Sequence, residues 1–296
     1  MYKIVEKRQL APQIYLMEIE APRVAKSAKP GQFIIVKMDE KGERIPLTVC
    51  DYNAAKGTVT IVFQTLGKST LEMAEYQVGD NFSDFAGPLG QASEFIHEDI
   101  EALKQQKIVF VAGGVGTAPV YPQVKWLQQQ GVQVDVIIGA RNKEMVILED
   151  EMKALGATVY VTTDDGSNGH KGLVTEVLKG LIDNGAQYDH VIAIGPMIMM
   201  KFVAKLTKEY NIKTTISLNP IMVDGTGMCG ACRVTVGSEI KFACVDGPEF
   251  DGHLVDFDEA MRRQAMYKTE EGRAVLEAEK SSHKHTGGCC GGHHHE

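Results

Sequence analysis

Short runs of alternating apolar and polar residues dominate the first hundred positions of the chain. Four of them read QFIIVKMD, RIPLTVCDYN, GTVTIVFQTLG and VGDNFSDFAGPLG. A period of two indicates strands buried on one face, and Gly, Pro, Asp and Asn separate the runs at the spacing of a small antiparallel barrel or sandwich. We therefore predict an antiparallel β-barrel over residues 1–100.

The pattern changes near Lys107, where apolar runs typical of buried strands alternate with amphipathic segments. KIVFVAGG, VQVDVIIGAR, ATVYVTTDDGS, HVIAIGP and TTISLNP are the strand-like runs, and helical segments such as PVYPQVKWLQQQG and MIMMKFVAKLTKEY lie between them. Repetition of strand and helix predicts a parallel sheet with helices on both faces. Residues 101–218 are therefore predicted to form an α/β domain.

Three smaller pieces complete the predicted organisation. Residues 219–250 hold three of the six cysteines and two runs, RVTVG and EIKFAC, that are typical of a short hairpin. Residues 251–280 include a charged helical stretch, FDEAMRRQAMYKTEEGRAVLEAEK. Residues 281–296 are polar and Gly-rich, which favours a disordered tail. The cysteines and histidines of that tail are read as solvated, with adventitious metal binding as the alternative.

Charge and hydropathy exclude several kinds of partner. The chain has 31 Lys and Arg against 39 Asp and Glu, a net charge of −8, which gives no support to nucleic-acid binding. No stretch approaches the roughly 20 apolar residues of a membrane helix. The first residues lack the layout of a secretory signal. We expect a cytoplasmic protein without a nucleic-acid or membrane partner.

The segment AGGVGTAP follows a predicted strand and opens a predicted helix. Its glycines, Gly113, Gly114 and Gly116, lack the Cβ atoms that would keep a pyrophosphate from the backbone, and the helix start offers free N–H groups. Pro119 stands where the third Gly of a GxGxxG fingerprint would be. A tight turn without a ligand is the alternative. Arg141, after the next strand, faces either an adenosine phosphate or solvent, so NAD and NADP stay open.

Two further strand ends point to the same crevice, because ligands of open α/β sheets sit at the carboxyl ends of the strands. Gly195 and Pro196 are predicted to form its opposite wall, with most of the following Met-rich stretch as helix core. Asp164 and Asp165 end another strand. Their carboxylates either bind ribose hydroxyls or cap the next helix.

In the barrel region, RIPLTV and QTLGKST carry groups suited to a diphosphate. Arg44 and Thr48 share one strand, and the flat backbone between them can lie along a ring system. Gly67 begins a turn whose Ser and Thr hydroxyls suit anionic oxygens. Either motif alone is weak, because a lone strand arginine is more often a solvated edge residue.

The segment VDGTGMCGACRVTVGSEIKFAC has the pattern Asp-x4-Cys-x2-Cys-x11-Cys, with Asp224 five positions before Cys229. Plant-type [2Fe–2S] clusters use Cys-x4-Cys-x2-Cys…Cys. An anionic carboxylate oxygen can replace the first thiolate, and the small residues between let the loop wrap a cluster. A zinc knuckle is the competing interpretation, but Cys244 lacks the second Cys or His that a knuckle brings.

In order, RIPLT, GKST, GGVGTAP, TDDGS, GPMIMM and the cysteine segment resemble the ferredoxin–NADP reductase superfamily. Within it, the chain resembles the branch of electron-transfer subunits of dihydroorotate dehydrogenase and of NADH-dependent reduced ferredoxin:NADP oxidoreductases. The resemblance covers about residues 1–250. The aspartate in the first ligand position favours the second group.

This resemblance implies an FAD-binding barrel, an NAD(H)- or NADP(H)-binding domain and a [2Fe–2S] segment. The residues implied at FAD are Arg44, Pro46, Leu47, Thr48, Phe63, Gln64, Gly67, Ser69 and Thr70. Those implied at the nicotinamide nucleotide are Gly113, Gly114, Gly116, Thr117, Arg141, Asp164, Asp165, Gly195, Pro196 and Met197. The cluster ligands are Asp224, Cys229, Cys232 and Cys244.

The implied activity is a relay in which hydride passes from a reduced nicotinamide to flavin N5 and electrons continue through the cluster to a larger flavoprotein subunit with further iron–sulfur clusters. Ferredoxin is reached only through that partner, in flavin-based electron bifurcation. Thr48 is expected to hydrogen-bond near N5, and Cys50 is expected to be a buried apolar residue. No catalytic acid or base is predicted, since the protein supplies placement and electrostatics. The alternatives are the electron-transfer subunit of dihydroorotate dehydrogenase and a zinc-stabilised, non-catalytic binding module.

Overall fold

The structure, a computed structural model, describes the backbone of residues 2–284 and the side chains of residues 2–277 and 280. The strands of this part are β1 (Tyr2–Ala11), β2 (Ile14–Glu20), β3 (Phe33–Lys37), β4 (Ile45–Asn53), β5 (Thr58–Gln64), β6 (Asn81–Phe82), β7 (Asp84–Leu89), β8 (Ile108–Gly113), β9 (Val134–Ala140), β10 (Thr158–Thr163), β11 (His190–Ile194), β12 (Lys213–Ser217), β13 (Arg233–Val236), β14 (Glu239–Phe242) and β15 (Glu249–Asp251). The helices are α1 (Pro22–Ser27), α2 (Lys68–Glu75), α3 (Ile100–Leu103), α4 (Thr117–Gln129), α5 (Glu149–Ala154), α6 (Val174–Asp183), α7 (Met197–Glu209), α8 (Phe257–Gln264) and α9 (Lys268–Lys284).

The first seven strands form one antiparallel sheet in the order β6-β1-β2-β5-β4-β3-β7. Its two edge strands are consecutive in the chain and are separated only by Ser83, so one segment closes the sheet into a barrel. The Ser83 N–H donates to the carbonyls of Lys37 and Met38 at this corner. Ile, Val and Phe side chains of alternating positions, such as Ile34 and Phe85, fill the interior. The predicted antiparallel barrel is confirmed.

The second sheet has the order β10-β9-β8-β11-β12-β15, with β8 to β12 parallel and β15 antiparallel at the edge. Every residue of β8 and β11 is buried, as expected of parallel strands covered on both faces. The sheet reverses its winding between β8 and β11, which makes their carboxyl ends the topological switch point, where ligands of such sheets bind. The predicted α/β domain is confirmed.

The cysteine segment forms the predicted hairpin, β13 and β14. The chain then returns to the parallel sheet as β15, whose Phe250 pairs with Ile216 of β12. The helical stretch that was predicted to be continuous is broken at residues 265–267, so that α8 lies beside α7 and β13 while α9 reaches back to α2 of the barrel. Across residues 2–284, the structure contains no helix with the length and apolarity needed to cross a membrane. The predicted disordered tail begins at residue 281, whereas α9 extends to Lys284; the rest of that tail, 285–296, lies outside the described residues.

Three parts of the molecule meet at a carboxylate of β15. Glu249 Oε1 accepts hydrogen bonds from Ser93 Oγ, at 3.0 Å, and from Gln123 Nε2, at 2.8 Å. Ser93 follows the barrel, Gln123 belongs to α4, and both are fully buried. Removal from water raises the pKa of Glu249 to about 7 despite these two donors. Gly31, at φ +85°, adopts the left-handed conformation here, and a Cβ on it would lie 2.4 Å from Ser93 Oγ.

Candidate functional site

The strand that carries the predicted flavin motif changes partners halfway along. Residues 45–48 of β4 pair with β3, whereas its pairing with β5 begins only at Val49, with a bulge before Asp51. One backbone edge of residues 45–48 is therefore without a strand partner among the described residues. Pro46, Leu47 and Thr48 are half-buried, so this edge is open to a flat ligand.

The predicted Gly-Ser-Thr turn is the start of helix α2. Gly67 is the N-cap residue, and Thr70 Oγ1 accepts hydrogen bonds from the N–H groups of Leu66, at 3.0 Å, and Gly67, at 3.1 Å. Ser69 Oγ donates to the carboxylate of Glu43. The sequence did not reveal this helix, whose N-terminus adds N–H groups to the hydroxyls that were predicted to face an anion.

Two predicted flavin contacts at the end of β5 differ in their exposure. The Phe63 side chain is 2% exposed and stacks on Tyr15 in the barrel core, with ring centroids 5.8 Å apart. Only its backbone is therefore placed to reach a ligand. Gln64, the last residue of the strand, is half-buried and pairs with Ile14.

The two predicted nucleotide-binding turns touch each other. A Cβ on Gly116 would lie 2.4 Å from the carbonyl oxygen of Ile194, and one on Gly113 would lie 2.9 Å from Pro196 Cδ. Gly195 approaches Gly113 equally closely. These glycines permit contact between the ends of β8 and β11, because any side chain would separate the turns. The crevice predicted from the two sequence segments is thus a single place in the fold.

Gly114 differs from its neighbours, since a Cβ on it would meet nothing within 4 Å. Its φ of +55° is left-handed, and its open side leaves the backbone accessible to a phosphate. Thr117, the first residue of α4, is fully buried and donates its hydroxyl to the carbonyl of Gly114 at 2.9 Å. Thr117 therefore shapes the turn, and its hydroxyl is already engaged.

The remaining predicted nucleotide contacts lie at neighbouring strand ends. Arg141 follows β9 and is exposed, and Asp164 and Asp165 follow β10 and are exposed. Asp165 accepts hydrogen bonds from the hydroxyl and N–H of Ser167, which lower the pKa of its carboxyl. Asp165 thus stabilises its own turn. Met197, also predicted at the nucleotide, is 3% exposed and its side chain packs in the core, so its backbone is the part that can reach a nucleotide.

The predicted cluster ligands flank the β13–β14 hairpin: Asp224, Cys229 and Cys232 lie on the loop before β13, and Cys244 follows β14. Cys232 and Cys244 are buried, and burial first, then the neighbouring Cys232 thiol, raises the pKa of Cys244 to about 12. Cys229 is exposed. The N–H of Ala231 and then that of Asp224 hold the pKa of its thiol below the usual range. Backbone N–H groups thus point at sulfur, as expected of a loop that wraps an anionic cluster.

Asp224 begins this loop in a short turn. Its carboxylate accepts from the N–H of Thr226, at 3.0 Å, and from the Thr226 hydroxyl. These bonds, followed by the N–H of Met228 and the charge of Arg44, lower the pKa of Asp224. The group is therefore an anionic oxygen donor near neutral pH, as a ligand to iron must be.

The donor set fits a [2Fe–2S] cluster in its chemistry and in the glycines that shape the loop. Gly225, Gly227 and Gly230 all have positive φ, between +67° and +84°. Within residues 2–284, however, no three His, Cys, Asp or Glu side chains are gathered around one point. Asp224, Cys229 and Cys232 lie on the loop before β13, with Asp224 turned toward Thr226, whereas Cys244 follows β14. This arrangement gives no support to a zinc site, because no second pair of ligands lies beside Cys229 and Cys232 in the described part of the chain.

The barrel holds the beginning of this loop. Arg44, just before β4, donates from Nε to the carbonyl of Val223 at 3.1 Å, and from Nη2 to the carbonyl of Asp224 at 3.3 Å. Its Nη1 contacts Asp84 Oδ2 at 3.3 Å. The predicted diphosphate-binding arginine is therefore bonded to the cluster loop. A Cβ on Gly225, the next residue, would lie 2.6 Å from Ile35 Cδ1.

The other end of the loop is held by α8. Arg263 Nη2 donates to the carbonyl of Ala231 at 3.2 Å. A pocket of about 330 Å³ opens here beside Cys229, and Arg263 and Tyr267 are among its lining residues. Neither Arg263 nor the Ser93–Gln123–Glu249 junction was predicted from the sequence. No local pattern marks them, because each acts on a segment that is remote in the chain.

Comparison with known proteins gives consistent matches over the whole chain. The sequence model for the iron-sulfur cluster binding domain of dihydroorotate dehydrogenase B matches residues 219–256, and that for the oxidoreductase NAD-binding domain matches residues 110–205. An uncharacterised protein encoded in the adh 3′ region of Clostridium beijerinckii is 66% identical over 98% of both chains. A homologue of the dihydroorotate dehydrogenase B (NAD(+)) electron transfer subunit from Thermotoga maritima is 45% identical over 91% of this chain and 92% of its own length.

One solved structure resembles the chain almost throughout. It is described as the NADH-dependent reduced ferredoxin-NADP oxidoreductase, in connection with flavin-based electron bifurcation. The TM-score is 0.87 at 43% sequence identity, and the match covers 94% of this chain and 97% of the other. Agreement at this level extends over the barrel, the parallel sheet and the cysteine segment together.

Proposed function

Because this chain belongs to the family of dihydroorotate dehydrogenase B electron-transfer subunits and their homologues, we propose that it is the NAD(H)-facing subunit of a bifurcating NADH-dependent ferredoxin:NADP oxidoreductase. In this role it passes electrons between a nicotinamide nucleotide, FAD and a [2Fe–2S] cluster. The observation that carries the proposal is the near full-length match to the solved oxidoreductase chain. The aspartate in the first ligand position supports it.

The proposed flavin site is the open edge of β4 together with the start of α2. The half-buried backbone of Pro46, Leu47 and Thr48 would lie along the ring system, with the Thr48 hydroxyl as donor near N5. Ser69, Thr70 and the α2 N-terminus would face the diphosphate. When bound, the flavin would exchange a hydride with nicotinamide and single electrons with the iron–sulfur centre.

The proposed nucleotide site is the crevice at the ends of β8 and β11. The open face of Gly114 and the start of α4 would accept the pyrophosphate, because both offer N–H groups and no obstructing side chain. Gly195 and Pro196 would form the facing wall, and Asp164 would face a ribose. Arg141 is exposed at the next strand end. Competition between NADH and NADPH for this site tests whether Arg141 selects the 2′-phosphate of NADP.

The proposed cluster ligands are Asp224, Cys229, Cys232 and Cys244. The N–H groups near Cys229 and Cys244 would stabilise negative charge on sulfur, and Cys232 and Cys244 would be shielded from solvent by their burial.

The proposed partner is a larger flavoprotein subunit with further iron–sulfur clusters, through which ferredoxin is reached. It would dock over the exposed rim of the cluster loop, because short gaps favour electron transfer. Three apolar side chains next to the ligands in sequence or in the pocket beside Cys229 are exposed: Met228 at 87%, Val223 at 51% and Tyr267 at 51%. Such exposed apolar residues are typical of a protein interface. A cytoplasmic location is part of this proposal.

Anaerobic purification of the native complex, with analysis of flavin, iron, sulfide and co-purifying chains, tests the proposal. We expect FAD, two irons per chain and a larger iron–sulfur flavoprotein. The complex of the two chains should reduce NADP with electrons from NADH and reduced ferredoxin. A dihydroorotate-oxidising partner would instead identify the second candidate, which the 45% identity to the Thermotoga maritima homologue favours. A colourless protein that contains zinc would contradict both.

A further inference from the structure

The guanidinium of Arg44 joins two segments that lie about 180 positions apart in the chain. Its Nε and Nη2 donate to the consecutive carbonyls of Val223 and Asp224, at 3.1 and 3.3 Å. This is the fork geometry in which the N–H groups along one edge of a guanidinium bind two acceptors. The residue itself is about one-third exposed, so the contact lies at the rim of the barrel.

A separate observation places the same loop on the barrel. Gly225 is buried at φ +82°, and a Cβ there would approach Ile35 Cδ1 to 2.6 Å and Leu89 Cδ1 to 3.0 Å. The loop therefore lies directly against β3 and β7, with no room for a side chain. Because Arg44 and Gly225 act on neighbouring residues, the position of Asp224 is set by the barrel.

Two N–H groups of the Arg44 guanidinium make no hydrogen bond within the described residues. A guanidinium has five N–H groups, and three are engaged by Val223, Asp224 and Asp84. The ion pair with Asp84 is partly exposed on both sides, so it adds little to stability. The two unused N–H groups, on Nη1 and Nη2, suit oxygens of a diphosphate.

We propose that Arg44 belongs to both cofactor sites at once, and that it positions the Asp224 loop while it binds the FAD diphosphate. This inference rests on the proposed function for the identity of the two cofactors. Its structural half, the hold of Arg44 on the loop, is independent of them. Because the two contacts share one side chain, FAD binding and order in the loop are thermodynamically linked: each favours the other.

Hydrogen–deuterium exchange of the loop amides tests the structural half. In FAD-free protein, R44M should raise the exchange of peptides covering residues 224–231 by about tenfold, since it removes charge-assisted hydrogen bonds. R23M is the matched control, because Arg23 is an exposed arginine of helix α1 in the same barrel. Adding FAD to the wild-type protein should slow exchange of the same peptides. Unchanged exchange in R44M, with an intact circular dichroism spectrum, would overturn the proposal.

Cofactor content separates the two contacts. R44M should lose FAD and most of its iron on anaerobic gel filtration. R44K should retain FAD through its positive charge but should not hold the Asp224 loop in place, because an ammonium cannot bind two carbonyls as a fork. The electron spin resonance signal of reduced R44K should therefore differ in shape from that of wild type. A signal identical to wild type in R44M and R44K, with only FAD lost, would reject the linkage. Wild type without flavin or iron would reject the proposed function, while the exchange result would still decide the loop contact.

Discussion

Gln123 Nε2 donates a 2.8 Å hydrogen bond to Glu249 Oε1, which joins the first helix of the nucleotide-binding domain to the strand after the cluster loop. The other amide atom of this side chain, Gln123 Oε1, is buried and accepts no hydrogen bond within the described residues. A carboxyl group removed from water and a buried, unsatisfied acceptor therefore lie at the junction of three parts of the chain.

Replacing Glu249 with Gln should stabilise the protein at pH 8. The pKa of Glu249 is raised to about 7, so the folded protein retains a proton that the unfolded chain has already released. The free energy of unfolding therefore falls as pH rises from about 4.5 to about 7. E249Q removes the buried charge, which we expect to add about 1–3 kcal/mol to the free energy of unfolding at pH 8.

Thermal unfolding from pH 5 to pH 8 measures this effect. The control is E101Q, which changes a carboxylate that is exposed on α3 and paired with Lys104. Wild type and E101Q should lose stability over the window, and E249Q should not. A lower midpoint for E249Q than for wild type at pH 8 would show that the carboxylate is needed as an anion.

Replacing Gly225 with Ala should destabilise the protein more than the same change at Gly237. Both residues have positive φ, at +82° and +62°, so the backbone strain of Ala is matched. Only Gly225 would also bring its Cβ against Ile35 and Leu89, whereas nothing lies within 4 Å at Gly237. We expect about 1–3 kcal/mol of additional loss in G225A from overpacking. Urea unfolding of the two variants compares them; equal losses would mean that the loop does not rest on the barrel.

Replacing Asp224 should distinguish a ligand from a turn-forming residue. D224A should lose the cluster, because the proposed fourth ligand is removed, while D224C should keep a cluster with altered spectra and potential. Iron content and electron spin resonance of the reduced proteins are the measurements. D246A, which removes an exposed carboxylate from the same segment, serves as control. D224A with the iron content and signal of wild type would exclude ligation by Asp224.

Thiol reactivity should rank the cysteines in protein freed of iron. Cys229 is exposed and its pKa is lowered, whereas Cys50 is buried with its pKa raised by burial. Thiolate and access both favour Cys229, so we expect alkylation about tenfold faster, or more, than at Cys50. Peptide mapping by mass spectrometry after timed iodoacetamide treatment gives the order. Modification of Cys50 at a similar rate would mean that the barrel opens there.

Much of the fold could be predicted because its signals are local. Period-two alternation marked the barrel strands, strand–helix alternation marked the parallel sheet, and the family and cofactor types followed from motif order, all of which the structure and the relatives support. The prediction for the buried Cys50 is also confirmed. These features depend on residues that are close in the chain, where composition and spacing carry the information.

The features that sequence reasoning missed depend on distant partners. β15 has three residues and exists only because β12 offers it an edge, so Glu249 could not be placed at a junction. The break between α8 and α9 contains neither Gly nor Pro, and it arises where one helix packs on α7 and the other on α2. The hold of Arg44 on Asp224 spans 180 positions and has no local trace.

The return of the chain to the parallel sheet as β15 has a mechanical consequence. The cysteine-bearing segment leaves that sheet after β12 and rejoins it at the adjacent edge as β15. Both of its ends are therefore attached to the parallel sheet, while its first loop contacts the barrel. A rotation that moved the parallel sheet away from the barrel would therefore have to stretch this segment or break the contacts between its first loop and the barrel. The position of the cysteine-bearing segment relative to the barrel is thus fixed by the same contacts that would resist such a rotation.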